Sequence, residues 1–257
     1  MAEPVGREAR ALALVLRAGQ ILLENGAEIF RVQETMTIMA RSLGLTGYHD
    51  YVLTNGLFAC ADGAGLSSLR NVPHRGTHLG RVEAVNQVSR ALAAGQLSLE
   101  EAEQQVEAAA LPQQPGRIQL LASGVGSLCF AFLFGGGPVE ALAAAAAGVV
   151  LGGFLLGCER YRLSAMLRRM AGAALTTIVC LLCCRLLPGA DANAAIIGTL
   201  MILTPGVAMT MGIQDFIRGD YLSGTIRVID ALLIAGSIAG GTGLVLGVYG
   251  ALSGVKV

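Results

Sequence analysis

Charge is what this chain has least of. Only 14% of its 257 residues are Asp, Glu, Lys or Arg, against roughly 25% in a soluble domain. The 18 basic and 18 acidic residues cancel, which excludes nucleic-acid binding by bulk electrostatics, since phosphate needs a basic face. A disordered chain is excluded by the 54% hydrophobic content. Six cysteines are too sparse for a secreted disulfide scaffold, and most lie in apolar stretches. Histidine occurs three times, at 49, 74 and 78, outside every long apolar run, and there is no His-Glu-x-x-His pair. An intramembrane zinc protease or a Ser–His protease therefore lacks its ligands or its base. His74 and His78 are four apart, but Pro73 and Gly76 make that stretch a loop, so loop hydrogen bonding is favoured over a metal. No Walker loop or Gly-x-Gly-x-x-Gly precedes a helix, so a transporter built on this chain would be a secondary or passive carrier. No cofactor is expected. No secretory leader is visible either: Met1 to Glu8 carry acids and the apolar run Ala11 to Leu16 stops at Arg17.

What is present is apolar and unevenly placed, with 35 glycines and a mean hydropathy of +0.63. Residues 1–117 hold 22 of the 36 charges and residues 118–257 hold 14. Behind Arg117 the uncharged runs are 118–139, 141–158, 170–184, 192–214 and 231–255. Crossing a bilayer takes about 20 apolar residues. The expectation is an α-helical membrane protein with about five transmembrane helices, near 118–136, 138–157, 169–187, 192–213 and 228–251. The alternative is four spans, with the short third segment at the interface. Residues 117–257 form this membrane domain, and 1–116 a small α+β cytoplasmic domain. Arg160, Arg162, Arg168, Arg169, Arg218 and Arg227 fall on one side, Arg185 and Lys256 on the other. The arginine-rich side faces the cytoplasm, which puts the amino terminus inside and Val257 outside.

Gly148 and Gly152, Gly153 and Gly157, Gly236 and Gly240, and Gly243 and Gly247 stand in small-xxx-small register, which lets helix backbones approach closely. Thr204-Pro205-Gly206 interrupts the fourth predicted span. Proline there removes one backbone hydrogen bond and clashes with the preceding turn, and freed backbone groups at membrane depth need protein or a water-filled cavity. The break is either a packing kink or part of a pathway, and Thr210, Gln214 and Asp215 behind it tilt it towards a pathway. Asp220, Arg227 and Asp230 complete the charged edge. Arg227 and Asp230, three apart, could pair along one helix face.

In the front, Leu12 to Leu23 follow helical spacing and end at Asn25-Gly26, a stop signal. A second helix is expected over 27–43. Short strands follow over 48–61 and 65–69, joined at Asp62-Gly63, then a helix over 79–94. Ser98 with Glu101 reads as a capping box opening a last helix to about Ala110, and Pro112 and Pro115 mark a linker. Cys180, Cys183 and Cys184 resemble a CxxC motif but fall within an apolar run, where cysteine acts as a small core residue.

Three segments carry a resemblance. Glu24-Asn25-Gly26-Ala27-Glu28 with Arg31-Val32, the run from His78 to Ala94 before Ser98-Leu99, and above all LTPGVAMTMGIQDFIRGDYLSGTIR from Leu203 to Arg227 resemble the threonine/serine exporter (ThrE) family. The resemblance implies a bacterial inner-membrane, multi-pass exporter with a cytoplasmic front. By position, Gly26, Ala27, Glu28 and Arg31 match the front motif. Pro205, Gly206, Asp215, Gly219, Asp220, Gly224 and Arg227 match the membrane motif. Single-chain exporters of the family continue into a second membrane half, so this chain looks like the larger, YjjP-like subunit of a split pair with a small YjjB-like membrane partner. The fused form is associated with threonine and serine, the split pair with succinate, so the resemblance leaves the substrate open.

Asp215 and Arg227 are then expected as gate or coupling residues of a pathway lined by Thr204, Pro205, Gly206, Thr210 and Gln214, with Asp220 and Asp230 nearby. The partners expected are a small-molecule substrate, the YjjB-like subunit and the lipid bilayer, with no nucleic acid and room for an oligomer. The competing class is a non-transporting sensor or scaffold, which has no need of a broken helix.

Overall fold

Apolar residues at helical spacing bury one face of α1 (Pro4–Glu24), and the helix stops at Asn25-Gly26 as its sequence predicts. The structure, a computed structural model, describes residues 4–73, 76–111, 116–158, 164–186 and 190–253. His74, Pro112, Pro115, Arg160, Arg162, Leu187, Lys256 and Val257 lie outside the described residues. The chain divides into two compact units, Met1–Gln113 with Val207–Val228 and Gln114–Gly206 with Ile229–Val257.

In the first unit, α2 (Ile29–Ser42) starts later than expected, because Glu28 is extended (φ −67, ψ 142). The stretch 48–61 is two strands, not one. β1 (Tyr48–Leu53), β2 (Gly56–Ala61) and β3 (Leu66–Asn71) form an antiparallel meander with β2 in the centre. Asp62 and Gly63 lie in a 3₁₀ turn joining β2 to β3, whereas the β1–β2 connection falls at Thr54-Asn55. Alternation along β2 points Leu57, Ala59 and Ala61 inward. Those side chains meet Leu16, Ile21 and Leu22 of α1 and Met36 and Met39 of α2 in one core. α3 (Leu79–Ala93) and α4 (Leu99–Ala110) close it with Val85, Val88 and Val106. The capping box forms: Ser98 Oγ accepts from Glu101 N, and Glu101 Oε2 accepts from Ser98 N at 2.8 Å. His78 caps α3, its Nδ1 accepting from Arg81 N.

In the second unit, α5 (Gly116–Leu133), α6 (Pro138–Cys158) and α7 (Ala165–Leu186) pack through small residues. A Cβ at Gly152 would meet Ser123 at 3.1 Å, and Gly148 sits against Ser123 and Ser127, so α5 and α6 touch along this expected register. The register fares differently on α10 (Tyr221–Ser253), where a Cβ at Gly236, Gly240, Gly243 or Gly247 would meet nothing within 4 Å. Cys180 and Cys184 of α7 are buried in one core with Ala131 of α5 and Ala144 and Ala147 of α6, and all six cysteines are free.

Among the described residues, four helices are long and apolar enough to cross a membrane: Gly116–Leu133, Pro138–Cys158, Ala165–Leu186 and Tyr221–Leu252. Two span expectations change. The third, expected near 169–187, is a 22-residue helix that starts earlier, at Ala165. The fourth is not one helix. It breaks into α8 (Ala192–Leu200, 9 residues) and α9 (Gly206–Ile217, 12 residues), since Pro205 cannot continue the hydrogen-bond ladder.

Candidate functional site

The break frees backbone carbonyls, and side chains take them. Leu203 O accepts a hydrogen bond from Arg169 Nη1 of α7, and Thr204 Oγ1 donates to Leu200 O at 3.2 Å. A freed carbonyl in an apolar setting needs such a donor. Sequence reasoning counted Arg169 only as a topology cation, and its satisfying role was not legible there.

In the first unit, two helix ends face each other. At the end of α1, Gly26 N donates to Leu23 O and Ala27 N to Leu22 O, a Schellman cap with Gly26 at φ +88. A Cβ at Gly26 would also lie 2.9 Å from Gly76 O, so glycine is required twice over. Buried Asn25 holds the turn, donating to Ile21 O at 2.7 Å and accepting from Arg81 Nη1 at 3.3 Å. At the end of α9, Gly219 N donates to Phe216 O and Asp220 N to Asp215 O, the same cap with Gly219 at φ +88. The chain then turns straight into α10. Gly212 and Gly224 let α9 and α10 meet backbone to backbone: a Cβ on Gly224 would lie 2.9 Å from Gly212 O.

These two caps bring the charges together. Asp215, 2% exposed, presents Oδ2 to Arg227 Nε at 3.0 Å. Arg227 Nη2 donates to Ala27 O at 2.9 Å. Glu28 precedes α2 without capping it through its side chain, and its carboxylate instead lies 3.3 Å from Arg218 Nη1. The Arg218 guanidinium stands 4.3 Å from the centre of the Phe30 ring, within cation–π range. Burying two charges costs several kcal/mol per ion unless geometry and further hydrogen bonds compensate, and the Ala27 carbonyl is one such bond.

Ala27 and Glu28, carried by the Gly26 turn, thus meet Arg227 and Arg218, with Asp215 against Arg227. Arg31 sits beside it, paired with Glu34 at 3.0 Å. Thr210 and Gln214 lie on α9, Asp220 in the turn, and Asp230 on α10. Thr204 and Pro205 fall in the second unit. Sequence reasoning missed Arg218, Phe30 and Asn25. Arg218 carried a signal, since it stands inside the Leu203 to Arg227 motif; Phe30 carried none.

The family described as "Putative threonine/serine exporter", ThrE, matches residues 13–249, nearly the whole chain. The chain belongs to the ThrE family. With four apolar helices of spanning length, this ThrE member is a multi-pass membrane protein. It is also similar to a protein of Mycobacterium tuberculosis (strain ATCC 25618 / H37Rv) named "Probable threonine/serine exporter", 25% identical over 255 residues. That match covers 96% of this chain but 46% of the relative, so the chain spans less than half the relative's length. No solved structure matches. The ThrE match runs through both halves of the charge cluster, from Gly26 to Arg227.

Proposed function

We propose that this ThrE member is a subunit of a bacterial inner-membrane exporter of small polar metabolites, with threonine and serine as its substrates. The observation that carries the reading is the meeting of the front motif and the membrane motif at Ala27, Glu28, Asp215, Arg218 and Arg227. Arg227 and Asp215 act as the gate. In this reading an amino acid entering there offers Arg227 a carboxylate and Asp215 an ammonium, replacing each partner in kind. A dicarboxylate carries no ammonium, so displacing the acids from Arg218 and Arg227 would leave Glu28 and Asp215 without a cation. The reading therefore favours threonine and serine over succinate.

The pathway follows the interrupted segment, with Thr204, Pro205, Gly206, Thr210 and Gln214 along it and Asp220 and Asp230 at its charged edge. The front unit faces the cytoplasm, in keeping with the arginine-rich short loops. A small YjjB-like membrane subunit completes the pathway. The test is efflux of labelled threonine, serine and succinate from cells lacking their own exporters, with and without that partner. Threonine or serine efflux that needs both chains and disappears with Asp215→Ala is expected. Unchanged efflux in Asp215→Ala would exclude the gate, and equal succinate efflux would exclude the substrate assignment. No efflux of any of the three would favour the sensor or scaffold reading.

A further inference from the structure

The first unit holds a cleft that borders the charge cluster at Ala27 and Glu28 and reaches Met211 of α9. Its volume is about 470 Å³, within the roughly 300–1,000 Å³ range of small-molecule sites. It opens between α1, α2 and α3. Leu22 and Val82 supply an apolar floor, and Thr35, Asn86 and Ser89 a polar wall. Ser89 is 4% and Thr35 7% exposed, unusual burial for hydroxyls. Thr35 Oγ1 donates to Asn86 Oδ1 at 3.3 Å, which leaves the Asn86 NH₂ group as a donor toward a guest. Charge of both signs lines the cleft, each charge already paired (Arg31 with Glu34, Arg90 with Glu83, Glu28 with Arg218), so a guest must exchange with these partners. The mixed lining suits a ligand that carries both charges itself, and the polar wall suits a hydroxyl or amide on its side chain.

We propose that this cleft is a binding site for a free polar α-amino acid, adjoining the Asp215–Arg227 pair but not formed by it. The ligand carboxylate lies toward the arginines of the mouth, the ammonium toward Glu28 and Glu34, and the side chain against Thr35, Asn86 and Ser89. Gly26, Ala27 and Glu28 line the same cleft, while Ala27 O holds Arg227 and the Glu28 carboxylate faces Arg218. An occupant therefore touches the very turn that positions the charge cluster, so binding and the state of that cluster are linked, and linkage is reciprocal. The cleft's role as a monitor of cytosolic amino acid rests on the exporter reading; its ligand class does not.

The test is binding of L-threonine, L-serine and succinate to the full-length chain purified in detergent, by calorimetry, with efflux measured in parallel. Saturable threonine or serine binding is expected, weakened about tenfold by Asn86→Leu and several-fold by the milder Ser89→Ala. Circular dichroism should show both variants folded, and succinate should not compete. Binding that neither variant alters, no saturation up to about 10 mM, or equal competition by succinate would overturn the proposal. Cleft-dependent binding without any efflux would sink the exporter reading and leave the site standing. Efflux without cleft-dependent binding would do the reverse.

Discussion

Asp215 is a carboxylate at 2% exposure, and Arg227 beside it is only slightly more open. Removing one partner of such a pair leaves an uncompensated buried charge, at a cost of about 3–5 kcal/mol. Arg227→Ala should therefore destabilise the purified protein by that amount in denaturant titration. Asp215→Ala with Arg227→Ala together should cost less than the sum of the two single changes, because neither charge is then stranded. Strict additivity would show that the two side chains do not interact. Gly26 makes a separate residue-scale demand. Its left-handed φ costs any other residue about 1–2 kcal/mol, and Gly76 O stands where the Cβ would go. Gly26→Ala should lower the melting temperature accordingly, and an unchanged melt would contradict the cap geometry.

Helix-scale consequences differ between two glycines of α10. Gly224 lies against Gly212 and Phe216, so Gly224→Val should force α9 and α10 apart and lower stability, while Gly236→Ala adds a Cβ into open space. In a helix interior that second change should be neutral to stabilising, by up to about 1 kcal/mol. Comparing the two melts checks which face is packed. The α4 capping box gives a pH signature. The Ser98 N–H and hydroxyl hold the Glu101 carboxyl below its ordinary value. A lowered folded-state value means stability present above the unfolded value and lost as pH falls through the folded one. Glu101→Gln keeps a capping partner but does not titrate, so its melting temperature should fall less steeply than wild type on acidification below about pH 5. Parallel acid slopes would place the acid sensitivity elsewhere. Helix stops at Asn25-Gly26 and the box at Ser98 were legible because caps are written in residues one to three positions apart. The split of β1 from β2 was also written locally, in Asn55-Gly56, but the strand reading over 48–61 ran through that signal.

For the molecule as a whole, the proposed orientation makes a direct prediction. A biotin-acceptor tag placed ahead of Met1 should be modified by a cytosolic ligase in living cells, and protease added outside should not remove it. An unmodified tag would invert the assignment. The second unit packs through alanine and glycine faces on α5 and α6, close packing being the main attraction between helices in lipid. The arginine count behind the orientation needed only sequence, because charge distribution between short loops is a one-dimensional property.

Sequence by itself determined the uneven charge, the apolar runs, the glycine and proline stops and the family motifs, because each depends on neighbours within a turn or on bulk composition. Tertiary structure decided what those motifs do to one another. Ala27 and Arg227 are 200 positions apart, and no local rule pairs a carbonyl at one helix end with a guanidinium on another. Likewise, Pro205 announced an interruption, but that Arg169 of α7 would satisfy Leu203 O depended on helix packing. The pairing of Arg218 with Glu28 and its stacking on Phe30 depended on two glycine-capped helix ends brought together by tertiary structure. Local chemistry set where the helices end; burial of charge set which ends had to meet.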